Sequence, residues 1–535
     1  MRKIFLVLII LLAGALRFYK LGEVPPSLYW DETSLGYNAY SILKTARDEH
    51  GRFLPFTNFA AFGDYKPPGY IYAAVPSIAL FGLNEFAVRF PSAFSGILTV
   101  ILAYLIAKKL FEKEAIALLT SFLLAISPWH LQFSRGAFEA NLGLFFSTLG
   151  IWLFLKFPQR PLYVLPSALS FLLAMYTFTG QRLFVPFMIL ILVIFYRRQV
   201  IKNFKIVVAT VILSLILFWP LFVFVTRTIE GRLRFDEVTL FKDLKPINDS
   251  IRYRSLDSFS WWADLIHNRR FFYSWEYLTH YFDAFNPSFL FIRGDGNPRL
   301  SIQEVGELYL FEMPLILAGI YFLFSKNHKY RFLILGWLLI SPLGPATARE
   351  TPHALRMIHI LPTYQLIAAY GLYTLYRMIK FKKLYVAVAA VAIILSVVYY
   401  LETYYYHWPK NYSSEWQYGY KQAVEVVKAN YGKSDNIVVT RALGRPYIYF
   451  LFYMKYPPQD FWQTANVVRD RFFFINVESF DKFIFSDDFE RLNLSGKVLY
   501  VAQPGRLPQG FQKISTIADL AGKPVFEIGK TESVK

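Results

Sequence analysis

Apolar residues in this chain gather in long, nearly unbroken runs, not in the one-sided stripes of surface helices. Runs long enough to span a bilayer fall near 3–19, 90–110, 115–134, 138–157, 161–180, 183–196, 205–226, 308–325, 331–346, 356–378 and 384–402, which predicts roughly eleven transmembrane helices. One further run, 69–83, is short, follows Pro67-Pro68 and contains Pro76. Basic residues arbitrate its place. If it is a juxtamembrane helix on the outer surface, then Arg2/Lys3, Lys108/Lys109/Lys113, Lys156/Arg160, Arg197/Arg198/Lys202/Lys205, Lys326/Lys329/Arg331 and Arg377/Lys380/Lys382/Lys383 all fall on one side. Counting it as a span moves all but the first to the other side. The expected topology therefore has a cytoplasmic N-terminus. The 20–68 loop, the 227–307 loop and the tail after 402 lie on the outer face.

Between the runs the pattern changes. Leu35, Ala39, Ile42 and Leu43 predict a helix over Ser34–Thr45 in the first outer loop, capped by Thr33 or Ser34. In the large loop, Arg232, Arg234, Arg252, Arg254, Arg269 and Arg270 are mixed with Trp261, Trp262 and Trp275, a blend suited to a layer in the headgroups or over a cavity. After 402 a helix over Glu415–Tyr431 is expected. Strands follow at Ile437–Thr440, Phe472–Ile475, Lys482–Phe485, Lys497–Val501 and Val525–Ile528. The predicted fold class is a polytopic α-helical membrane protein with outer juxtamembrane helices and a small soluble α/β domain. Its transmembrane catalytic domain is 1–402, with a first outer region of 20–89, and the extracytoplasmic α/β domain is 403–535.

Composition agrees. With 55% hydrophobic and 18% charged residues and a mean hydropathy of +0.33, the chain is too apolar for a soluble protein of 535 residues. Its formal charge of +19 sits in short clusters at the ends of apolar runs, so it marks topology and no nucleic-acid partner is expected. The absence of cysteine excludes disulfides, thiolate metal sites and cysteine nucleophiles. Ala13-Gly14-Ala15 offers a small-residue cleavage pattern, but 3–19 leads into a whole membrane protein and is expected to stay as an uncleaved span.

Four patches carry candidate chemistry. Asp31 and Glu32, beside Tyr29 and Trp30, put two carboxylates just beyond the first span, where a base could take a proton from a hydroxyl at the lipid surface. Asp31 is the expected base; the plainer alternative is a pair that caps the next helix. Lys66, in Asp64-Tyr65-Lys66-Pro67-Pro68, is a fixed cation suited to a lipid phosphate, with Asp64 placed to orient the acceptor; alternatively the stretch is a proline-stiffened lead into a surface helix. Arg135 and Glu139 stand where one span ends and the next begins, as a second acid and its neighbour or as a structural salt bridge. If Pro352 opens a helix, His353, Arg356 and His359 share a face fitted to phosphate or sugar, or to interfacial anchoring. Two histidines six residues apart make poor zinc spacing.

Neither a G-x-G-x-x-G nor a P-loop sequence occurs, and no Asp-x-Asp pair of the kind that holds a metal and nucleotide sugar, so a sugar donor is expected to be lipid-borne. Asn248, Asn411 and Asn493 begin N-x-S/T triplets, a pattern common by chance. A transporter or lipid flippase is the alternative class. Such proteins place ionisable groups near mid-bilayer in paired halves, whereas here the acids sit at the outer ends of spans.

Taken in order, Trp30-Asp31-Glu32, Lys66-Pro67-Pro68, Arg89-Phe90-Pro91-Ser92, Ser134-Arg135 with Glu139, Phe289-Leu290-Phe291, Gly294-Asp295, Gly306-Glu307-Leu308-Tyr309, and His353 with Arg356 and Pro362 resemble the GT-C superfamily of membrane glycosyltransferases. The likeness is to the branch of protein O-mannosyltransferases and lipid A aminoarabinose transferases. It implies a GT-C-like fold and an inverting transfer from a polyprenyl-phosphate sugar to a lipid, glycan or protein hydroxyl. In that reading Asp31, Glu32 and Glu139 are catalytic, and Asp64, Lys66, Arg135, His353 and Arg356 bind substrate. Glu139 stands where many relatives carry Asp. Members of this branch often work without a catalytic metal, so none is implied, with a divalent ion as the alternative.

Overall fold

The computed structural model describes residues 2–470, 474–492 and 494–531. Phe472 and Phe473, which head an expected strand, and Asn493 of the third triplet lie outside the described residues. The chain divides into two compact units. One comprises Met1–Arg17, Phe94–Ser134 and Glu139–Tyr400; the other comprises Phe18–Ala93, Arg135–Phe138 and Leu401–Lys535.

The first unit is helical, and a helix stands at the place of every apolar run. By length and composition, three helices among the described residues are long and apolar enough to cross a membrane: Glu85–Phe111, Phe204–Arg227 and Lys382–Trp416. A fourth is added if Glu114–Ile126 and Pro128–Arg135, bent by 55°, form one span. The bend falls at Pro128, whose missing N–H cannot continue the helix. Gln181–Phe195 and Glu312–Ser325, and in the second unit Gly69–Phe81, are shorter apolar helices. Phe204–Arg227 and Lys382–Glu402 expose most of their apolar side chains, among them Leu215, Ile216, Trp219, Ile394 and Leu395. Helix–helix contact elsewhere is made close by glycine. A Cβ at Gly319 would strike the carbonyl of Ile367, and one at Gly371 the carbonyl of Leu315, so Glu312–Ser325 and Thr363–Met378 pack backbone to backbone.

The second unit gathers the first loop and the tail. Its helix Trp30–Thr45 starts four residues earlier than expected, with Tyr29 as the N-cap. Thr33 and Ser34 are therefore inside the helix; the Glu32 carboxylate reaches back to the Tyr29 N–H at 3.4 Å. A hairpin unanticipated in the sequence pairs Phe59–Ala61 with Asp64–Lys66. Phe62 and Gly63 both have positive φ, as a two-residue primed turn requires. The expected helix Glu415–Tyr431 is interrupted: a 3₁₀ turn at Ser413–Trp416 gives way through left-handed Gln417 and Gly419 to Tyr420–Asn430. The tail carries a mixed seven-stranded sheet in the order Asn466–Arg469, Ile475–Phe480, Phe483–Phe485, Asn436–Val439, Val498–Ala502, Pro524–Lys530, Gln512–Ala518. Asn436–Val439 pairs in parallel with both of its neighbours, and the outer pairs are antiparallel. Val438, Val498, Tyr500 and Ala502 form part of its core.

Candidate functional site

In the second unit the helix Trp30–Thr45 presents its two acids in opposite ways. Glu32 is fully buried. Its Oε1 accepts from Arg89 Nε at 3.0 Å and from the Ala137 N–H at 2.7 Å; its Oε2 accepts from Arg89 Nη2 at 3.0 Å and from the Tyr29 N–H at 3.4 Å. All four acceptor positions of the carboxylate are used. Arg89 is equally saturated, donating also to the carbonyls of Leu21, Pro25 and Ser27 at 3.1, 2.8 and 2.5 Å. This two-toothed pair, with the Trp416 ring 5.8 Å from the guanidinium, ties the helix start to the 21–27 loop and to the Gly136–Ala137 corner. Glu32, expected among the catalytic acids, has both oxygens engaged by these donors, which hold the start of the helix.

Asp31 points elsewhere. Its side chain is 30% exposed and its Oδ1 accepts from Lys66 Nζ at 2.5 Å, while Lys66 is 5% exposed. Strand pairing puts Lys66 there: it lies opposite Phe59 in the hairpin, and Pro67-Pro68 end the strand before Gly69–Phe81 begins. Asp64, the first residue after the hairpin turn, accepts from its own neighbour, the Tyr65 N–H, at 2.9 Å. Arg135 is buried and clamps two segments of the same unit. Its Nη2 donates to the Val24 carbonyl at 2.9 Å and its Nε to the Tyr404 hydroxyl at 3.2 Å, and the guanidinium lies over the rings of Tyr404 and Tyr405.

The first unit holds the remaining expected residues. Glu139 opens the helix Glu139–Lys156. Pro352 does not open a helix: His353 is the extended N-cap of a single turn, Ala354–Met357, followed by a 3₁₀ turn at Ile358–Ile360. The three-residue register is broken, and His359 turns inward, fully buried, stacked on Phe184 with Nε2 2.9 Å from the Ser341 carbonyl. His353 and Arg356 stay on the loop side. His353 Nδ1 is 3.8 Å from Asp295 Oδ2, and Arg356 donates to the Glu350 carbonyl at 3.2 Å. Asp295 ties this turn down by accepting the Ala354 N–H at 2.6 Å, and its own N–H donates to Glu307 Oε1 at 3.0 Å. Burial pushes both carboxyls above their usual range, Glu307 strongly, and the Asp295 charge adds to it there. His130 is also structural, with Nδ1 2.7 Å from Arg17 Nη2 in a buried cluster. Among the described residues no group of three His, Asp or Glu side chains is arranged to hold a metal ion.

The sequence pointed to Arg89 only as part of a motif, without a role. A signal was there: an arginine in the first turns of an apolar helix is costly to bury and so calls for an acid nearby. Tyr404 and Tyr405 carried less of one, because an aromatic run at a span's end reads equally well as an interface belt.

With this geometry in place, comparison with known proteins is informative. Residues 65–224 match the family model described as dolichyl-phosphate-mannose-protein mannosyltransferase. A stretch of 154 residues is 29% identical to a Bacillus subtilis (strain 168) protein named "Putative mannosyltransferase YkcB", covering 29% of this chain and a fifth, 20%, of that protein. The fold is that of ArnT from Cupriavidus metallidurans, with a TM-score of 0.58 over 98% of each chain at 12% identity; ArnT has also been solved bound to undecaprenyl phosphate. It is similar too to the archaeal oligosaccharyltransferase AglB from Archaeoglobus fulgidus, solved with an inhibitory peptide and a dolichol-phosphate. There the TM-score is 0.50 at 14% identity, over 84% of this chain and 63% of that one. The resemblance drawn from the sequence motifs is thus met by a family-model match over 65–224 and by a likeness in fold, mostly helical with a sheet-containing C-terminal region.

Proposed function

We propose that this chain is a membrane glycosyltransferase that moves a sugar from a polyprenyl-phosphate donor to an acceptor hydroxyl with inversion, on the outer face of the cell membrane. Asp31 is the base. The acceptor oxygen attacks the anomeric carbon as its proton passes to the Asp31 carboxylate; the bond from that carbon to the phosphate oxygen breaks, and polyprenyl phosphate leaves with the electron pair. The observation that carries this reading is the Asp31–Lys66 pair, a partly exposed carboxylate beside a nearly buried ammonium. Lys66 puts a positive charge beside Asp31, where it can also stabilise the negative charge of a leaving phosphate. The saturated Glu32–Arg89 pair keeps Asp31 in register, because the two acids are adjacent on one helical turn. Arg135, His353, Arg356 and Asp64 are assigned to substrate binding and Glu139 to a second acid or acceptor-orienting role, and the chain is assigned roughly eleven spans with a cytoplasmic N-terminus.

The test is to incubate the purified protein with a panel of polyprenyl-phosphate sugars and acceptors and to measure released lipid phosphate. Asp31→Asn should lower transfer about 10²–10⁴-fold, the usual contribution of a positioned base, while its melting temperature stays close to that of the parent. Unchanged transfer in that variant removes Asp31 as the base.

A further inference from the structure

The helix Arg269–Asp283 in the first unit has two faces built for different surroundings. On one, Tyr273, Tyr277 and Tyr281, spaced four apart, donate their hydroxyls to the carbonyls of Asp243, Leu343 and Leu339 at 2.8, 3.0 and 2.8 Å. Lys245 adds an ion pair to Glu276 at 2.8 Å. These bonds dock the helix on its own unit. On the other face Phe271, Trp275, Leu278 and Phe282 recur at the spacing of one helical stripe and are 48%, 61%, 47% and 64% exposed. The preceding helix Trp261–Ile266 adds Trp261 and Leu265, more exposed still.

The surroundings of that stripe decide what covers it. Tyr281 bonds Leu339 at the end of the shorter apolar helix Arg331–Ile340, and Leu339 itself is half exposed, so the helix that carries the stripe is docked beside further exposed apolar surface of the same unit. At the other end Arg269 and Arg270 are exposed in the first helical turn, which contains no acid. Two cations at the positive end of a helix dipole are unfavourable in water and call for an anion there. A phosphate layer beside an acyl layer meets both demands, aromatic and aliphatic groups below and guanidinium groups at headgroup height.

We infer that the Arg269–Asp283 helix lies in the membrane interface, with Phe271, Trp275, Leu278 and Phe282 among the acyl chains and Arg269 and Arg270 at the lipid phosphates. The inference rests on the membrane placement of the chain but not on the transfer chemistry. It makes the large loop a second lipid-facing surface beside the spans, one that would hold a lipid-borne donor's membrane close to the His353 and Arg356 turn of the same unit.

The chain has no cysteine, so single cysteines can be placed and spin-labelled without background. Trp275→Cys, Leu278→Cys and Phe282→Cys would be examined in full-length protein in phosphatidylcholine/phosphatidylglycerol vesicles, by collision with oxygen, which concentrates in lipid, and with a polar nickel chelate, which stays in water. Leu215→Cys on the exposed apolar helix Phe204–Arg227 and Lys523→Cys on the tail serve as references. Oxygen should dominate at 275, 278 and 282 as at 215, and the chelate should dominate at 523. If the chelate dominates along the stripe while 215 still reports lipid, the helix faces water and the inference fails with the membrane reading intact. If neither reagent reaches it, protein covers the stripe and the inference also fails. A 215 label open to the chelate would overturn the membrane reading itself.

Discussion

At the scale of single residues, the informative contrast is between two neighbouring acids that sequence alone treats as a pair. Glu32 and Arg89 pair with each other in a site with no exposed side-chain surface, so removing one partner strands a buried charge. Arg89→Met should cost about 3–5 kcal/mol, and the double variant Glu32→Gln/Arg89→Met should be less destabilised than the single one, as thermal melts in detergent would show. Equal losses in both would mean that Glu32 is not paired as described. The buried Glu307 makes a pH prediction. Because its carboxyl titrates higher in the folded chain than in the unfolded one, there is no penalty below the ordinary carboxylate range. Stability falls as pH rises from that range toward the folded value, since the unfolded state can ionise first. Glu307→Gln should flatten that slope in melts taken between pH 4 and pH 8.

At the scale of elements, periodicity located helices well and their ends poorly. The Trp30–Thr45 helix was placed by its apolar side, but its start depends on Glu32 reaching the Tyr29 N–H, and that acid is positioned by Arg89. The hairpin that carries Lys66 was missed for a physical reason. Three-residue strands are too short for alternation to show, and Phe-Gly is not a common primed-turn pair. Gly63 now supplies a test. Its φ is +99°, and a Cβ there would lie 2.8 Å from Phe474 Cγ and 3.0 Å from Phe474 Cα. Gly63→Ala should destabilise by about 1–3 kcal/mol through backbone strain and shift the hairpin against its neighbour. Because Lys66 sits on the return strand and holds both the base and the leaving phosphate, the loss of transfer should appear mainly as a lowered kcat with KM less affected. A raised KM at constant kcat would separate the hairpin from the catalytic step.

At the scale of the whole molecule, the first loop and the tail fold together. Tyr37 donates to the Tyr456 carbonyl at 2.9 Å, Trp462 to the Glu49 carbonyl at 3.0 Å, and Lys421 pairs with Glu85 at 2.9 Å. Gly36 is there because Val88 and Phe452 leave no room for a Cβ. A chain ending at 402 should therefore lose hydrogen-exchange protection in Trp30–Thr45 as well as the sheet. Unchanged protection would make the tail an independent appendage. What the sequence determined by itself was everything that depends on local periodicity and composition: the apolar runs, the position of the tail's central strands, and the acids and cations that crowd the ends of spans. Those signals are short-range, since a helix or strand buries the face that its own residues define. What only the tertiary structure decided was partnership. Which of two adjacent carboxylates is sealed by Arg89 and which meets Lys66, and which distant segment closes over the first loop, are set by packing between residues tens to hundreds of positions apart, where no spacing rule in one chain can reach.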